Sequence, residues 1–144
     1  MILADEEATS AAGAALAAMA RAGDVIAISG PLGVGKTTFA RGFLHALGHE
    51  GEVPSPSFAI VQPYEDIRPR VWHVDLYRIE QTSEIDELGL DEASDAVLLV
   101  EWPDRAKGGD WPDALRLTID FAEAGARRLT AEVPPAWEGR WPPR

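Results

Sequence analysis

Residues 30–37 read Gly30-Pro31-Leu32-Gly33-Val34-Gly35-Lys36-Thr37 and fit G-x-x-x-x-G-K-[ST], the pattern of a phosphate-binding loop. The apolar run Val25 to Ile28 feeds into it and the helix-like run Thr38 to Leu47 leads out, so strand, glycine loop and helix follow in the required order. Gly30, Gly33 and Gly35 accept positive φ without a Cβ penalty, which lets successive backbone N–H groups turn inward as an anion nest. That nest opens a helix, whose unpaired N–H groups and dipole also favour phosphate. Lys36 adds a point charge for the β and γ phosphates, and the Thr37 hydroxyl is placed to bind a magnesium ion bridging them. The bland alternative, a strand-to-helix turn with a chance lysine, leaves the flanking strand and helix unexplained.

Composition sets the frame around this loop. A chain of 144 residues makes one ordinary domain, long enough to bury roughly 68% of its unfolded surface. The formal net charge is -11, so the overall field repels nucleic acid and nucleotides alike and anions must be captured locally. Autonomous tRNA or DNA binding is therefore not expected. No cysteine is present, which excludes disulfides, thiolate metal sites and cysteine nucleophiles. Met1 to Thr9 carry acid rather than base, and no apolar segment is long enough to span a membrane, so a cytoplasmic protein is expected.

Along the chain, Ile2-Leu3 reads as a short strand or lead-in, followed by an alanine-rich helix through Ala22 with Asp5, Glu6 and Glu7 at its start and Gly23 as its stop. Val25 to Ile28 has no polar face, as befits a central parallel strand. Phe39, Phe43, Leu44 and Leu47 recur at helical spacing before Gly48. Pro54-Ser55-Pro56-Ser57 stiffens a connection and excludes helix. Phe58 to Val61 and Val71 to Asp75 read as a hairpin around the polar bend Glu65 to Pro69. Ser83 to Leu88 reads as a short acidic helix capped by Ser83, with another turn at Asp91 to Ala93. Ala96 to Glu101 is a buried strand closing on a carboxylate and ended by Trp102-Pro103. Leu115 to Asp120 alternates with period two and Arg128 to Val133 more weakly, an antiparallel pair expected at a sheet edge. Residues 1–133 form the domain on this reading, and Pro134 to Arg144, rich in proline and tryptophan, an irregular tail.

Magnesium takes oxygen ligands, usually one or two of them protein carboxylates. Two strand ends offer one. Glu101 follows Val97-Leu98-Leu99-Val100, and Asp75 follows Val71-Trp72-His73-Val74. Either could hold the metal, leaving the other to orient the attacking water or sense the γ-phosphate. Asp86-Glu87-Leu88-Gly89 matches the D-x-x-G of GTPases but lies in the acidic helical stretch, and the chain has no asparagine for an N-K-x-D guanine-reading element. His45, His49 and His73 lack zinc spacing; only His73 lies beside a candidate site residue. The tryptophans are read either as partner contacts or as packing under the sheet.

Several blocks together resemble the TsaE family, the ATPase subunit of the bacterial machinery that makes threonylcarbamoyladenosine in tRNA. They are Gly30 to Thr38, Arg41-Gly42-Phe43, Pro54-Ser55-Pro56-Ser57-Phe58, His73-Val74-Asp75-Leu76-Tyr77-Arg78, Glu84 to Gly89 and Val100-Glu101-Trp102-Pro103. The match runs in order over roughly residues 5 to 130. The resemblance implies an α/β fold: a single P-loop NTPase domain whose mixed parallel and antiparallel sheet is flanked by helices. It also implies weak ATP hydrolysis, active mainly in complex with TsaD and TsaB, that resets the complex between rounds of transfer, with tRNA met only through those partners. Motif by motif, Thr37 and Glu101 would hold Mg2+, and Gly33, Val34, Gly35, Lys36, Thr37 and Thr38 the phosphates. Asp75 would be the carboxylate needed for hydrolysis, acting with Lys36. Ser55 and Ser57 would lie in the switch loop, Arg128 near the nucleotide, and Thr9 near the adenine. Two positions depart from the family: Pro31 replaces an acid, and Ser57 replaces the threonine of S-P-T, keeping the hydroxyl without the stiffening methyl.

Two other classes use such a loop. A small-molecule kinase needs a second-substrate pocket and usually an arginine-rich lid, whereas Arg68, Arg70 and Arg78 are scattered around the strands. A non-hydrolysing module would use nucleotide only to order a docking loop.

Overall fold

The computed structural model describes residues 1–56, 60–81, 83–90, 94–106 and 111–142. The strands are β1 (Ile2–Leu3), β2 (Val25–Ser29), β3 (Val61–Tyr64), β4 (Val71–Asp75), β5 (Val97–Glu101), β6 (Leu115–Phe121) and β7 (Arg127–Glu132). They form one sheet in the order β1-β7-β6-β2-β5-β4-β3. The four inner strands β6, β2, β5 and β4 run parallel, while β3 pairs antiparallel to β4, and β7 antiparallel to both β6 and β1. The architecture is α/β with a mixed sheet. β5 is buried at all five positions, the pattern of a parallel strand covered on both faces.

Two helices cover one face: α1 (Glu6–Ala17) and α2 (Lys36–Ala46). Phe39, Phe43 and Leu44 of α2 and Leu16 of α1 are fully buried against Ile26, Ile28, Leu99 and Leu117. Each such side chain contributes about 1.5–3 kcal/mol of transfer free energy. The helices meet at bare backbone: a Cβ on Gly13 would fall on the Phe39 carbonyl, and one on Gly42 on the Ser10 carbonyl. Glycine at both positions is what brings the N-terminus of α1 close to the loop before α2. On the other face a smaller core of Val74, Leu76, Ile79, Ile85, Leu98 and Val100 packs under α3 (Ser83–Asp86).

Four expectations change. The first helix stops at Ala17 rather than Ala22, because Asp24 accepts the Arg21 N–H at 2.6 Å and turns the chain early; Gly23, with φ +90°, serves that turn. The strand expected at Phe58 to Val61 is Val61–Tyr64, running through Pro63. Phe58 and Ala59 lie outside the described residues, as do Ser57, Asp91 to Ala93 and Lys107 to Asp110. β3 tolerates the proline because it is an edge strand, where a missing N–H costs no ladder bond. The β6–β7 pair is antiparallel but not at the edge, since β1 closes that side with Ile2 opposite Arg128. Finally, the segment after Val133 carries a short 3-10 turn at Pro135–Trp137 and is packed down. Trp137 is fully buried in the larger core, and Arg140 grips the Asp24 carboxylate at 2.7 and 3.0 Å and the Met19 carbonyl at 3.0 Å. Among the described residues no helix is long and apolar enough to cross a membrane.

Candidate nucleotide-binding site

The loop of residues 30–35 connects β2 to α2 at the C-terminal edge of the parallel strands. Gly30, Gly33 and Gly35 have φ of +151°, +78° and +118°, values that L side chains rarely adopt. A Cβ at Gly33 would meet no atom within 4 Å, so the space beside that backbone is open to a ligand. Among the described residues no side chain caps α2, so its first-turn N–H groups are available at the loop. The Val34 N–H is held inside the loop by the Pro31 carbonyl at 3.2 Å.

Lys36 is buried at the start of α2. Its ammonium donates to the carbonyls of Gly30 and, at 3.2 Å, Pro31, and lies 3.7 Å from the centre of the Trp102 ring. Burial holds its pKa below the ordinary lysine value, with the negative charges of Glu101 and Asp75 acting in the opposite direction. Trp102 sits at φ +59° in the left-handed region, a strain of order 1–3 kcal/mol for a non-glycine residue. Its indole packs on Tyr77 with ring centres 4.9 Å apart.

The two carboxylates converge because β4 and β5 are parallel neighbours in register, Asp75 opposite Glu101. The Leu76 N–H donates to the Glu101 carbonyl at 3.1 Å and locks the two strand ends at one level. They differ in what they touch. Thr37 Oγ1 lies 3.4 and 3.3 Å from the two oxygens of Glu101. Asp75 Oδ1 accepts the Tyr77 N–H at 2.8 Å. This donor set, one hydroxyl and one carboxylate within reach of each other, fits a hard cation that completes its shell with water and phosphate oxygens. Among the described residues no group of three or more His, Cys, Asp or Glu could hold a metal by itself.

Two hollows open on either side of the loop and share Gly33, Gly35 and Thr38. The inner one, about 220 Å3, is lined by Lys36, Thr37, Ser55, Asp75, Glu101 and Trp102 among others. The outer one, about 270 Å3, lies between the start of α1 and the turn before β7, with Asp5, Thr9, Val34 and Arg127 on its walls. Thr9 is nearly inaccessible, its hydroxyl donating to the Asp5 carbonyl at 3.3 Å. Gly33, Val34, Gly35, Lys36, Thr37, Thr38, Thr9, Asp75 and Glu101 are therefore brought together around the loop. Ser57 lies outside the described residues.

Arg128 is not brought in: it is exposed on β7, whereas its neighbour Arg127 lines the outer hollow and donates through Nε to the Val34 carbonyl at 2.9 Å. Period two carried the signal that sequence reading missed. Arg127 shares its strand parity with Leu129, which is buried under the helices, while Arg128 faces away. Tyr77 and Leu32, also unforeseen, line the inner hollow. His73, noted only for its position, is buried with Nε2 2.6 Å from Glu101 Oε2. Asp86 is exposed on α3 and lines neither hollow.

Comparison with known proteins gives the same picture over most of the chain. The family model described as "Threonylcarbamoyl adenosine biosynthesis protein TsaE" matches residues 3–129. The tRNA threonylcarbamoyladenosine biosynthesis protein TsaE of Bacillus subtilis is 40% identical over 126 residues, covering 86% of this chain and 78% of that protein. The protein of the same name from Streptomyces coelicolor is 42% identical over 114 residues, 76% of this chain and 77% of its own length. The crystal structure of Bacillus subtilis YdiB superposes with a TM-score of 0.78 at 34% identity, covering 91% of this chain and 82% of that one. With the loop, the paired strand ends and the mixed sheet all in place, the chain belongs to the TsaE family.

Proposed function

We propose that this protein is the magnesium-dependent ATP-binding and ATP-hydrolysing subunit required for threonylcarbamoyladenosine modification of tRNA, and that its hydrolysis resets a TsaB–TsaD transferase complex. The observation that carries the reading is the convergence of Lys36, Thr37, Asp75 and Glu101 on one hollow beside an open glycine loop. An elongated anion with a nucleoside at one end fits two hollows that share the loop: phosphates on the Lys36 side and the nucleoside on the Thr9 and Arg127 side.

In this reading the backbone of residues 33–38 binds the phosphates through N–H groups already turned inward, so little reorganisation is needed. Lys36 supplies positive charge where negative charge accumulates. Thr37 and Glu101 would hold magnesium, which when bound neutralises charge on the β and γ phosphate oxygens. Asp75 orients the attacking water: one of its oxygens is fixed by the Tyr77 N–H, which sets the direction of the carboxylate. Trp102 shields the lysine from solvent. The net charge of -11 supports leaving tRNA contact to the partners.

The test is ATP hydrolysis by the full chain, alone and with TsaB and TsaD. Slow turnover that rises with both partners, and is lost in Asp75→Ala while nucleotide still binds, is the expected result. No change on adding partners would overturn the assembly reading, and phosphate transfer to a metabolite would replace it with a kinase.

A further inference from the structure

His73 stands in the middle of β4, two residues before Asp75, with its ring wholly buried on the face that α2 covers. Its Nε2 lies 2.6 Å from Glu101 Oε2. Its Nδ1 has no hydrogen-bond partner among the described residues. These facts decide where the ring hydrogen sits. A carboxylate oxygen only accepts, so Nε2 must carry a hydrogen and donate it; a lone pair there would face another at 2.6 Å.

The rest of Glu101 shows what this bond does. Its backbone is fixed by the sheet, paired with Asp75 on one side and Ile28 on the other. Its side chain is nearly inaccessible and touches Thr37 through both oxygens, at the long distances of 3.3 and 3.4 Å. The short bond to His73 is the tighter hold. The Lys36 ammonium is directed instead to the Gly30 and Pro31 carbonyls. With Oε2 held by His73, the contact on Oε1 is the longer one with Thr37, at 3.4 Å.

We infer that His73 is a positioning residue: its Nε2–H holds Glu101 Oε2 and so presents the carboxylate, together with Thr37, as an oriented oxygen pair for the nucleotide's divalent cation. The inference rests on the reading that Glu101 and Thr37 hold magnesium. A partner of this kind fixes the ligand's direction before the ion arrives, and its loss ordinarily costs 10–100-fold in metal affinity. A purely packing role for the ring predicts no such metal-specific loss, because a leucine fills much of the same space.

The experiment is equilibrium binding of a fluorescent ADP analogue to the full chain, in EDTA and across a Mg2+ titration, for wild type, His73→Leu and His73→Gln. Ring-nitrogen NMR of the ligand-free wild type accompanies it. In His73→Leu, binding in EDTA is expected to stay within about twofold, while the Mg2+ concentration for half of the metal-dependent gain rises about tenfold or more. His73→Gln, whose amide can donate to Oε2, is expected to recover most of that loss. The NMR spectrum is expected to show a hydrogen on Nε2. An unchanged Mg2+ requirement in His73→Leu, no recovery in His73→Gln, or a ring protonated on Nδ1 alone overturns the inference. Should the leucine variant fail to fold, the glutamine variant and the NMR spectrum still decide: a Mg2+ requirement near wild type with Nε2–H supports it, and the opposite of either sinks it. A wild type without any Mg2+ gain would overturn the metal reading and this inference with it, whereas a normal wild-type gain left intact by His73→Leu overturns this inference alone.

Discussion

The inner and outer hollows share Gly33, Gly35 and Thr38, yet their other walls come from different elements. The inner one gathers side-chain charge: Lys36 from α2 and Asp75 and Glu101 from the ends of two parallel strands. The outer one takes its charged groups from the start of α1 and from β7: Asp5 caps α1 through the Ala8 N–H at 2.8 Å, Glu6 stands beside it, and Arg127 is tied to the Val34 and Gly125 carbonyls at 2.9 Å. The difference teaches a division of labour. Parallel strand ends in register deliver charges to one point with little freedom, which suits chemistry. A helix start and a β turn deliver shape and a few fixed dipoles, which suits holding the unreactive end of a ligand.

That contrast can be broken most decisively on the inner side. Glu101→Gln keeps the shape and removes the charge, so hydrolysis by the complete assembly is expected to fall about 10²–10³-fold. Nucleotide binding in EDTA should stay within about threefold, because in the proposed reading Glu101 acts through magnesium, which EDTA removes. Steady-state hydrolysis beside equilibrium binding checks it; an equal loss in both would erase the distinction between the hollows.

On the outer side the expected effect is smaller and of another kind. Arg127→Ala should weaken nucleotide affinity about tenfold, in line with the loss of one hydrogen bond from a charged group, and leave turnover at saturating nucleotide unchanged. Arg128→Ala should alter neither. Measured affinities for the two variants sharpen the comparison directly, since a loss in Arg128→Ala with Arg127→Ala silent would mean that the wrong face of β7 has been assigned to the site.

The smallest effect concerns the cost of keeping Lys36 charged. Burial lowers its pKa in the folded chain, so between that value and the ordinary lysine pKa the unfolded chain binds more protons. Stability therefore rises with pH in that window: the cost is fully present below the folded pKa and is relieved as pH climbs through it. Wild type should gain melting temperature relative to Lys36→Met as pH rises toward the ordinary lysine pKa, by at most a few degrees, since about 1 kcal/mol moves Tm by roughly 2–4 °C at this size. Thermal melts of both proteins across that range test it, and a falling difference would mean that Glu101 and Asp75 outweigh desolvation.

Much of this was legible in the chain because its signals are local. Three glycines, a lysine and a threonine at set spacing, fed by an apolar strand and followed by an amphipathic helix, need no distant residue to be read. β2, β4, β5 and α2 are close to where apolar run and period place them, and Asp75 and Glu101 stand at strand ends as expected. The misreadings arose where a distant partner decides. Helix α1 ends early because Asp24, itself gripped by Arg140 from the far end of the chain, takes up the backbone at Arg21. β3 admits Pro63 because among the described residues no strand pairs with its outer edge. Trp137 lies in the segment read as an irregular tail and is buried in the larger core, with Arg140 three residues on tied to Asp24 and the Met19 carbonyl.

By itself, then, the sequence determined the phosphate loop, the two strand-end carboxylates and the α/β class, since each depends on residues within a few positions of one another. Which arginine lines the outer hollow, and which oxygen of Glu101 meets His73, were decided only by tertiary structure. The physical reason is register. Adjacent residues on a strand point to opposite faces, and a hydrogen bond of 2.6 Å between His73 and Glu101 exists only because β4 and β5 run parallel with Asp75 opposite Glu101.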